Sequence, residues 1–259
     1  PASTGRATSG PAMSRSRLLP RNPSSRPAEE GGIGGPAGTV LAPDGKPAGN
    51  ATVVLVRPSQ AGRAYAARFL DGRVDDARTG AVATTGSDGR FSFLSQTQPF
   101  RVVILHDRGF GELAMEAAAG SPQIKLQPWG RVEGRLQIGN KPGSKEKIIL
   151  RSEYQDPRNP DLRICHEYTD QSDDDGRFVL GRVAPRPGFV GREVQYIKEK
   201  SCMIFFDHAV PVEVTPGETT KVTVGGSGRT VTGRLAVPPG KSVDFDRAFV
   251  SGSLSIRRP

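Results

Sequence analysis

Aromatic residues are scarce in this chain, with one tryptophan, four tyrosines and eleven phenylalanines among 259 residues. That leaves few rings on which nucleic-acid bases can stack. Cysteine is scarcer: Cys165 and Cys202 alone. They fit either one disulfide in an oxidising compartment or two buried thiols, and spacing does not choose between these. No apolar run nears the roughly 20 residues of a membrane-spanning helix. No long stretch carries the 3.6-residue period of an amphipathic helix. The chain begins at Pro1 without a visible signal peptide and reads as a piece of a longer protein.

The motifs of common chemistries are missing too. The three histidines, His106, His166 and His208, sit in no His-Glu-x-x-His pattern, and no Gly-x-Ser-x-Gly elbow is present. "GGSGR" at 225–229 lacks the Lys-Ser/Thr of a phosphate loop. Cys165, His166, Cys202 and His208 are zinc-type residues in the wrong places. The first two are adjacent and point to opposite faces of a strand, while Cys202 and His208 lie about 20 Å apart at strand rise. These absences predict no catalytic residue, metal or cofactor, so catalysis would belong to another part of a longer protein.

Glycine and proline are plentiful, at 32 and 22, which favours turns and short strands over long helices. Lysine and arginine exceed aspartate and glutamate by nine. Much of the excess lies at the ends, with five basic and two acidic residues in 1–37 and six and two in 225–259. The stretch 128–224 is balanced at fifteen of each. A dedicated nucleic-acid face gathers its cations in one place, so no specific nucleic-acid partner is predicted.

Residues 1–37 are Pro-, Ser-, Gly- and Arg-rich, and predict a disordered linker. From Gly38 short β-branched runs alternate with turn signals: "GTVLA", "PDGKP", "ATVVLV", "RFSFL", "FRVVILH". The polar insertion at 59–80 contains "AYAARFLDG", which predicts one or two helical turns closed by Gly72. A second cycle, 128–224, starts at "GRVEGRLQI" and repeats the order of strands and turns. A third opens at "GRTVTGRLAV" and occupies 225–259 as a fragment. Repetition at this length means repeated domains. The predicted class is all-β: tandem antiparallel β-sandwiches of roughly seven strands each.

"G-x-V-x-x-x-D-G-K-P-x-x-x-A-x-V-x-L" at 38–55 and "T-x-x-D-G-R-F-x-F" at 85–93 resemble carboxypeptidase regulatory-like domains, which are transthyretin-like β-sandwiches. The likeness covers 38–127 well and 128–224 more loosely. It implies a support or interaction module with no catalytic residues of its own. It also implies tandem copies in a large bacterial envelope or secreted protein, hence an extracytoplasmic location. The partners implied are other domains of the same polypeptide and protein or glycan partners, with any membrane tether outside this stretch.

The repeated "SDGRF" and "DDDGRF" raise a choice between a calcium loop and a turn. With Gly176 sixth in a calcium loop, position twelve is Arg182; with Gly89 sixth it is Ser95. Neither supplies the required glutamate. Asp173, Asp174 and Asp175 remain the weak candidates for some other metal geometry. The favoured reading is a hairpin turn at Asp88-Gly89 and Asp175-Gly176. Phe91 and Phe93 then share a face with Val82 and Thr84. Candidate ligand-contact aromatics are Trp129, at the junction of the two cycles, Tyr65 and Tyr154. The expected function is a non-catalytic spacer or protein-interaction module, with carbohydrate binding or adhesion as the alternative.

Overall fold

The computed structural model describes residues 35–59, 63–77, 80–114, 116–118, 120–198, 201–226, 239–240 and 242, with the backbone alone described at 196–198 and 201–203. Most of the expected linker 1–37 and of the expected third cycle 225–259 lies outside the described residues. The first nine strands are β1 (Ala37–Leu41), β2 (Thr52–Val56), β3 (Ala67–Leu70), β4 (Arg73–Asp76), β5 (Ala81–Thr84), β6 (Arg90–Ser92), β7 (Arg101–His106), β8 (Gly109–Ala114) and β9 (Gln123–Lys125). Then come β10 (Gly130–Ile138), β11 (Lys141–Pro142), β12 (Lys147–Gln155), β13 (Arg163–Gln171), β14 (Arg177–Val183), β15 (Pro187–Lys198), β16 (Ser201–Glu213) and β17 (Thr219–Gly226). The described residues are all-β apart from one short 3-10 turn at Glu116–Ala118.

The N-terminal sandwich packs the sheet β6-β1-β9 against the sheet β5-β2-β7-β8. Val40, Phe91 and Ile124 meet Val53, Leu55, Val102 and Ile104 between the sheets. The C-terminal sandwich repeats the plan. Val132, Leu136 and Phe178, from the sheet built on β10, face Ile148, Leu150 and Val190 from the sheet built on β12. In each, the last strand closes a sheet in parallel, β9 on β1 and β17 on β10. The other pairings within each sandwich are antiparallel.

The central strands of the N-terminal sandwich are buried on both faces. Val54, Val56, Val103 and Leu105 point away from its own core and are at most 5% exposed. They belong to the same apolar cluster as Ile164, Tyr168, Leu180 and Phe69. Both sandwiches therefore contribute to one continuous apolar cluster, beside the N-terminal sandwich's own core. At roughly 1.5–3 kcal/mol per fully buried aliphatic side chain, four such residues are a large contribution.

The insertion between β2 and β5 is where the helical expectation fails. "ARFL" forms β3, with Ala67 and Phe69 buried and Arg68 exposed, a period of two rather than 3.6. Asp71 and Gly72 take φ of 50° and 71° and reverse the chain into β4. This hairpin leaves its own sandwich. β3 pairs in parallel with β13, Ala67 opposite Ile164 and Leu70 opposite Glu167. The result is a six-stranded sheet, β16-β15-β12-β13-β3-β4, with strands from both sandwiches. A tertiary partner, absent from the local sequence, decides strand over helix.

The Asp-Gly turns are not hairpins, which corrects the second expectation. β5 pairs with β2, and β6 pairs with β1 in the opposite sheet. β13 and β14 separate in the same way. Each turn is thus a corner between sheets. Val82 is accordingly 55% exposed while Phe91 is 8% exposed, so they share no face. Gly89 and Gly176 both sit at φ +77°. Their carbonyls accept from Val40 N at 2.8 Å and from Leu136 N at 2.7 Å. A Cβ at either glycine would fall 2.4 Å from the carbonyl oxygen of Val40 or Leu136.

A buried hydroxyl ties each corner to the preceding turn. Thr85 Oγ1 donates to Ala48 O at 2.6 Å and accepts from Ala51 N at 2.8 Å. Ser172 Oγ donates to Gly143 O at 2.6 Å and accepts from Glu146 N at 3.0 Å. Thr85→Ala leaves a buried N–H and C=O without a partner, and Ser172→Ala a buried C=O and a part-buried N–H. Each should cost about 1–3 kcal/mol, with Thr85→Ser close to neutral. Urea unfolding checks this. Equal stability of Thr85→Ala and wild type would contradict the tie.

Candidate functional site

The described residues offer no catalytic constellation open to solvent; the concentrated chemistry lies at the seam between the sandwiches. Glu112 on β8 is at its centre, with its side chain 10% exposed. Its Oε2 accepts from Arg101 Nε and Nη2, both at 3.2 Å, within the N-terminal sandwich. Its Oε1 faces the C-terminal sandwich, 3.1 Å from His166 Nε2 and 2.9 Å from Arg186 Nη1. His166 is fully buried, stacked on Phe69 with centroids 4.8 Å apart and edge-on to Phe110 at 5.3 Å. Arg101 also lies 3.9 Å over the Tyr154 ring.

Burial holds His166 below the usual imidazole range, and Arg186 and Arg101 push the same way against the pull of Glu112. With the ring neutral and Glu112 ionised, Nε2 carries the proton and donates to Oε1. His166 Nδ1 then has no partner among the described residues. Burial alone would raise the Glu112 carboxyl. Its hydrogen bond with His166 and the charges of Arg186 and Arg101 outweigh that and bring it down to about 2.

Ser152 lies opposite His166 in the β12–β13 register, which by residue type alone suggests a Ser-His-Glu triad. The Ser152 hydroxyl instead donates to Pro187 O at 2.6 Å. Both side chains are buried, so no substrate reaches them. Cys165 points to the opposite face from His166; burial pushes its thiol up to about 11, which suppresses the thiolate. The Cys202 side chain lies outside the described residues.

The aromatics singled out from sequence are all in contact with arginine. Trp129 donates from Nε1 to His106 O at 2.8 Å, lies 5.6 Å from Phe110 and has Arg182 4.9 Å from its ring centroid. Tyr65 donates to Glu153 Oε1 at 2.6 Å, with Arg163 5.1 Å from its ring. Tyr154 donates to Asp156 Oδ2 at 3.1 Å. Trp129 and Tyr154 pack against the shared core.

The acidic turn also finds partners within the chain. Asp173 Oδ1 accepts from the backbone N–H of Asp175 and Arg177, at 2.9 and 2.7 Å. Asp174 accepts from Ser144 Oγ and Lys145 Nζ, both at 3.1 Å. Asp175 pairs with Arg177 at 2.8 Å. Asp88 accepts from Arg90 N at 3.1 Å. Asp174 thus ties the corner to the preceding loop.

No protein-family model matches this sequence, and no curated protein is detectably similar to it. Among solved structures, the chain is similar to the minor pilin of Streptococcus agalactiae at 10% identity and a TM-score of 0.33, over 78% of this chain and 99% of that one. It is also similar to a streptococcal ancillary pilin at 12% identity and a TM-score of 0.26, over 73% of this chain. The chain spans 61% of the length of that ancillary pilin. Neither likeness is close enough to bear on function.

Glu112, His166 and Arg186 give the seam a definite acid response. His166 accepts a proton in the unfolded chain near its ordinary pKa of 6.5, but resists it when folded. Stability therefore declines as pH drops through that value. Glu112 is depressed in the folded state, so its contribution is intact above about 4.5 and is lost on the way down to about 2. His166→Phe should flatten the first decline, read as unfolding free energy between pH 7 and 5. Glu112→Ala at pH 7 strands two partly buried arginines, with side chains 18% and 15% exposed, and should cost up to about 3 kcal/mol. A loss no larger than that of an exposed ion pair would contradict this assignment.

Proposed function

We propose that residues 38–224 are a non-catalytic spacer and protein-interaction segment of a larger extracytoplasmic bacterial protein. In this reading two carboxypeptidase regulatory-like sandwiches are locked so that their neighbours in the polypeptide stay at a fixed relation. The carrying observation is the six-stranded sheet with strands from both sandwiches, reinforced where Glu112 binds groups from each. Flexible tandem modules need neither. The bacterial and extracytoplasmic parts rest on the sequence resemblance. A sugar platform needs an open ring face, and Trp129, Tyr154 and Tyr65 each carry an arginine over the ring. That favours the spacer over the carbohydrate-binding alternative.

Thermal unfolding of the full chain, followed by methyl signals of Val53 and Leu150, tests the reading. One from each core, they should share a midpoint, as a single cooperative transition requires. The double variant Asp71→Ala/Glu112→Gln removes the Asp71 bonds to Thr169 N and Oγ1 as well as the buried charge, and should separate the midpoints. Separate midpoints in the unaltered chain would contradict locking.

A further inference from the structure

Alternation along an antiparallel sheet sets one face toward the core and a polar face toward water. The outward face of the six-stranded sheet keeps this rule on one side only. On β12, β13 and β3 it carries a ladder of ion pairs. Arg163 meets Glu153 at 3.1 Å, Arg151 meets Glu167 at 2.9 Å and Arg68 meets Glu167 at 3.9 Å. On β15 and β16 the same face is apolar. Val190 and Val212 look to the core. Their strand neighbours Phe189 and Pro211 look outward, with Pro187 and Ala209, and all four are exposed.

These residues line a groove of about 800 Å³. Register sets Arg151, Phe189 and Pro211 side by side on β12, β15 and β16, and Pro187 opposite Glu213. Phe206 also lines the groove. Its ring packs on Gly191, where a Cβ would come 2.8 Å from it. Phe189 is 54% exposed. A volume of this size, lined by apolar groups with a few polar ones, is in the range of pockets that enclose a whole ligand. An apolar patch rimmed by charge marks a contact surface.

The charged lining residues narrow the occupant. Both oxygens of Glu153 are taken, Oε1 by the Tyr65 hydroxyl at 2.6 Å and Oε2 by Arg163 Nη2 at 3.1 Å. Arg151 gives Nε and Nη2 to Glu167. Glu213 is the one lining charge whose side chain has no hydrogen bond or ion pair among the described residues. A saccharide needs several open hydrogen-bonding groups around a ring face. This groove keeps one open carboxylate at the end of an apolar floor, which complements an apolar body carrying a single positive charge.

We propose that the groove binds a segment of a partner protein in which an aromatic or large aliphatic side chain stands beside a lysine or arginine. The apolar side chain lies on Phe189 between Pro211 and Phe206, and the cation reaches Glu213. The inference rests on the protein-interaction part of the proposed function and specifies the chemistry of the partner.

Titration of the full chain with two dipeptides blocked at both ends, Trp-Lys and Trp-Glu, tests it through backbone amide signals. Trp-Lys should shift the amides of Phe189, Gly191 and Val212 and bind about fivefold more tightly than Trp-Glu, as one exposed ion pair allows. Glu213→Gln should bring the two affinities within about twofold of each other. Phe189→Ser should abolish both. Val179→Ser, at an exposed apolar position of the other sheet, should change neither. Phe189 and Glu213 are exposed, so both variants should keep the wild-type urea midpoint, and lost binding is then a loss of the groove. Equal affinity for the two peptides overturns the proposal, as does a Phe189→Ser variant that still binds. Cellobiose shifting these amides where the peptides do not would give the groove to a sugar and overturn it too. Failure of the spacer reading would show elsewhere, in the midpoints of Val53 and Leu150.

Discussion

The outward face of the β2–β7 pair is as apolar as its inward face, and that surface has to be covered. Val54, Val56, Val103 and Leu105 cannot be left to water beside an already filled core. The C-terminal sandwich supplies the cover, and the other seam features depend on it. The β3–β4 hairpin extends the covering sheet, Phe110 and Trp129 close its margin, and the chain crosses between sandwiches within a few residues.

Apolar cover alone is tolerant of rotation and sliding, because it is not directional. Glu112 removes that tolerance. A carboxylate buried at such a seam is costly unless its acceptor sites are filled, and here they are filled from both sandwiches at once. A shift of either sandwich would strand a buried charge. The same arrangement makes the seam sensitive to acid, since His166 is buried neutral beside two guanidinium groups.

Much of the fold could be read from short-range pattern. Turn residues, β-branched runs and the lack of a sustained 3.6-residue period carry the all-β class. What escaped depends on distant partners. "ARFLDG" is four residues of alternation, too short to separate from a helical turn without β13 beside it. "SDGRF" reads as a hairpin because nothing local reports that β6 pairs with β1. Glu112 looks like an ordinary strand carboxylate in "GFGELA", and its partners His166 and Arg186 are 54 and 74 positions away. One overlooked signal was local. "TVVLV" and "RVVILH" run without alternation, the mark of strands buried on both faces.

Residual dipolar couplings of backbone amides test most directly whether the sandwiches form one rigid body. A single alignment tensor should fit strand amides from β1 to β9 together with those from β10 to β17. Two tensors of different orientation or magnitude, each fitting one sandwich alone, would contradict the shared core and the fixed seam.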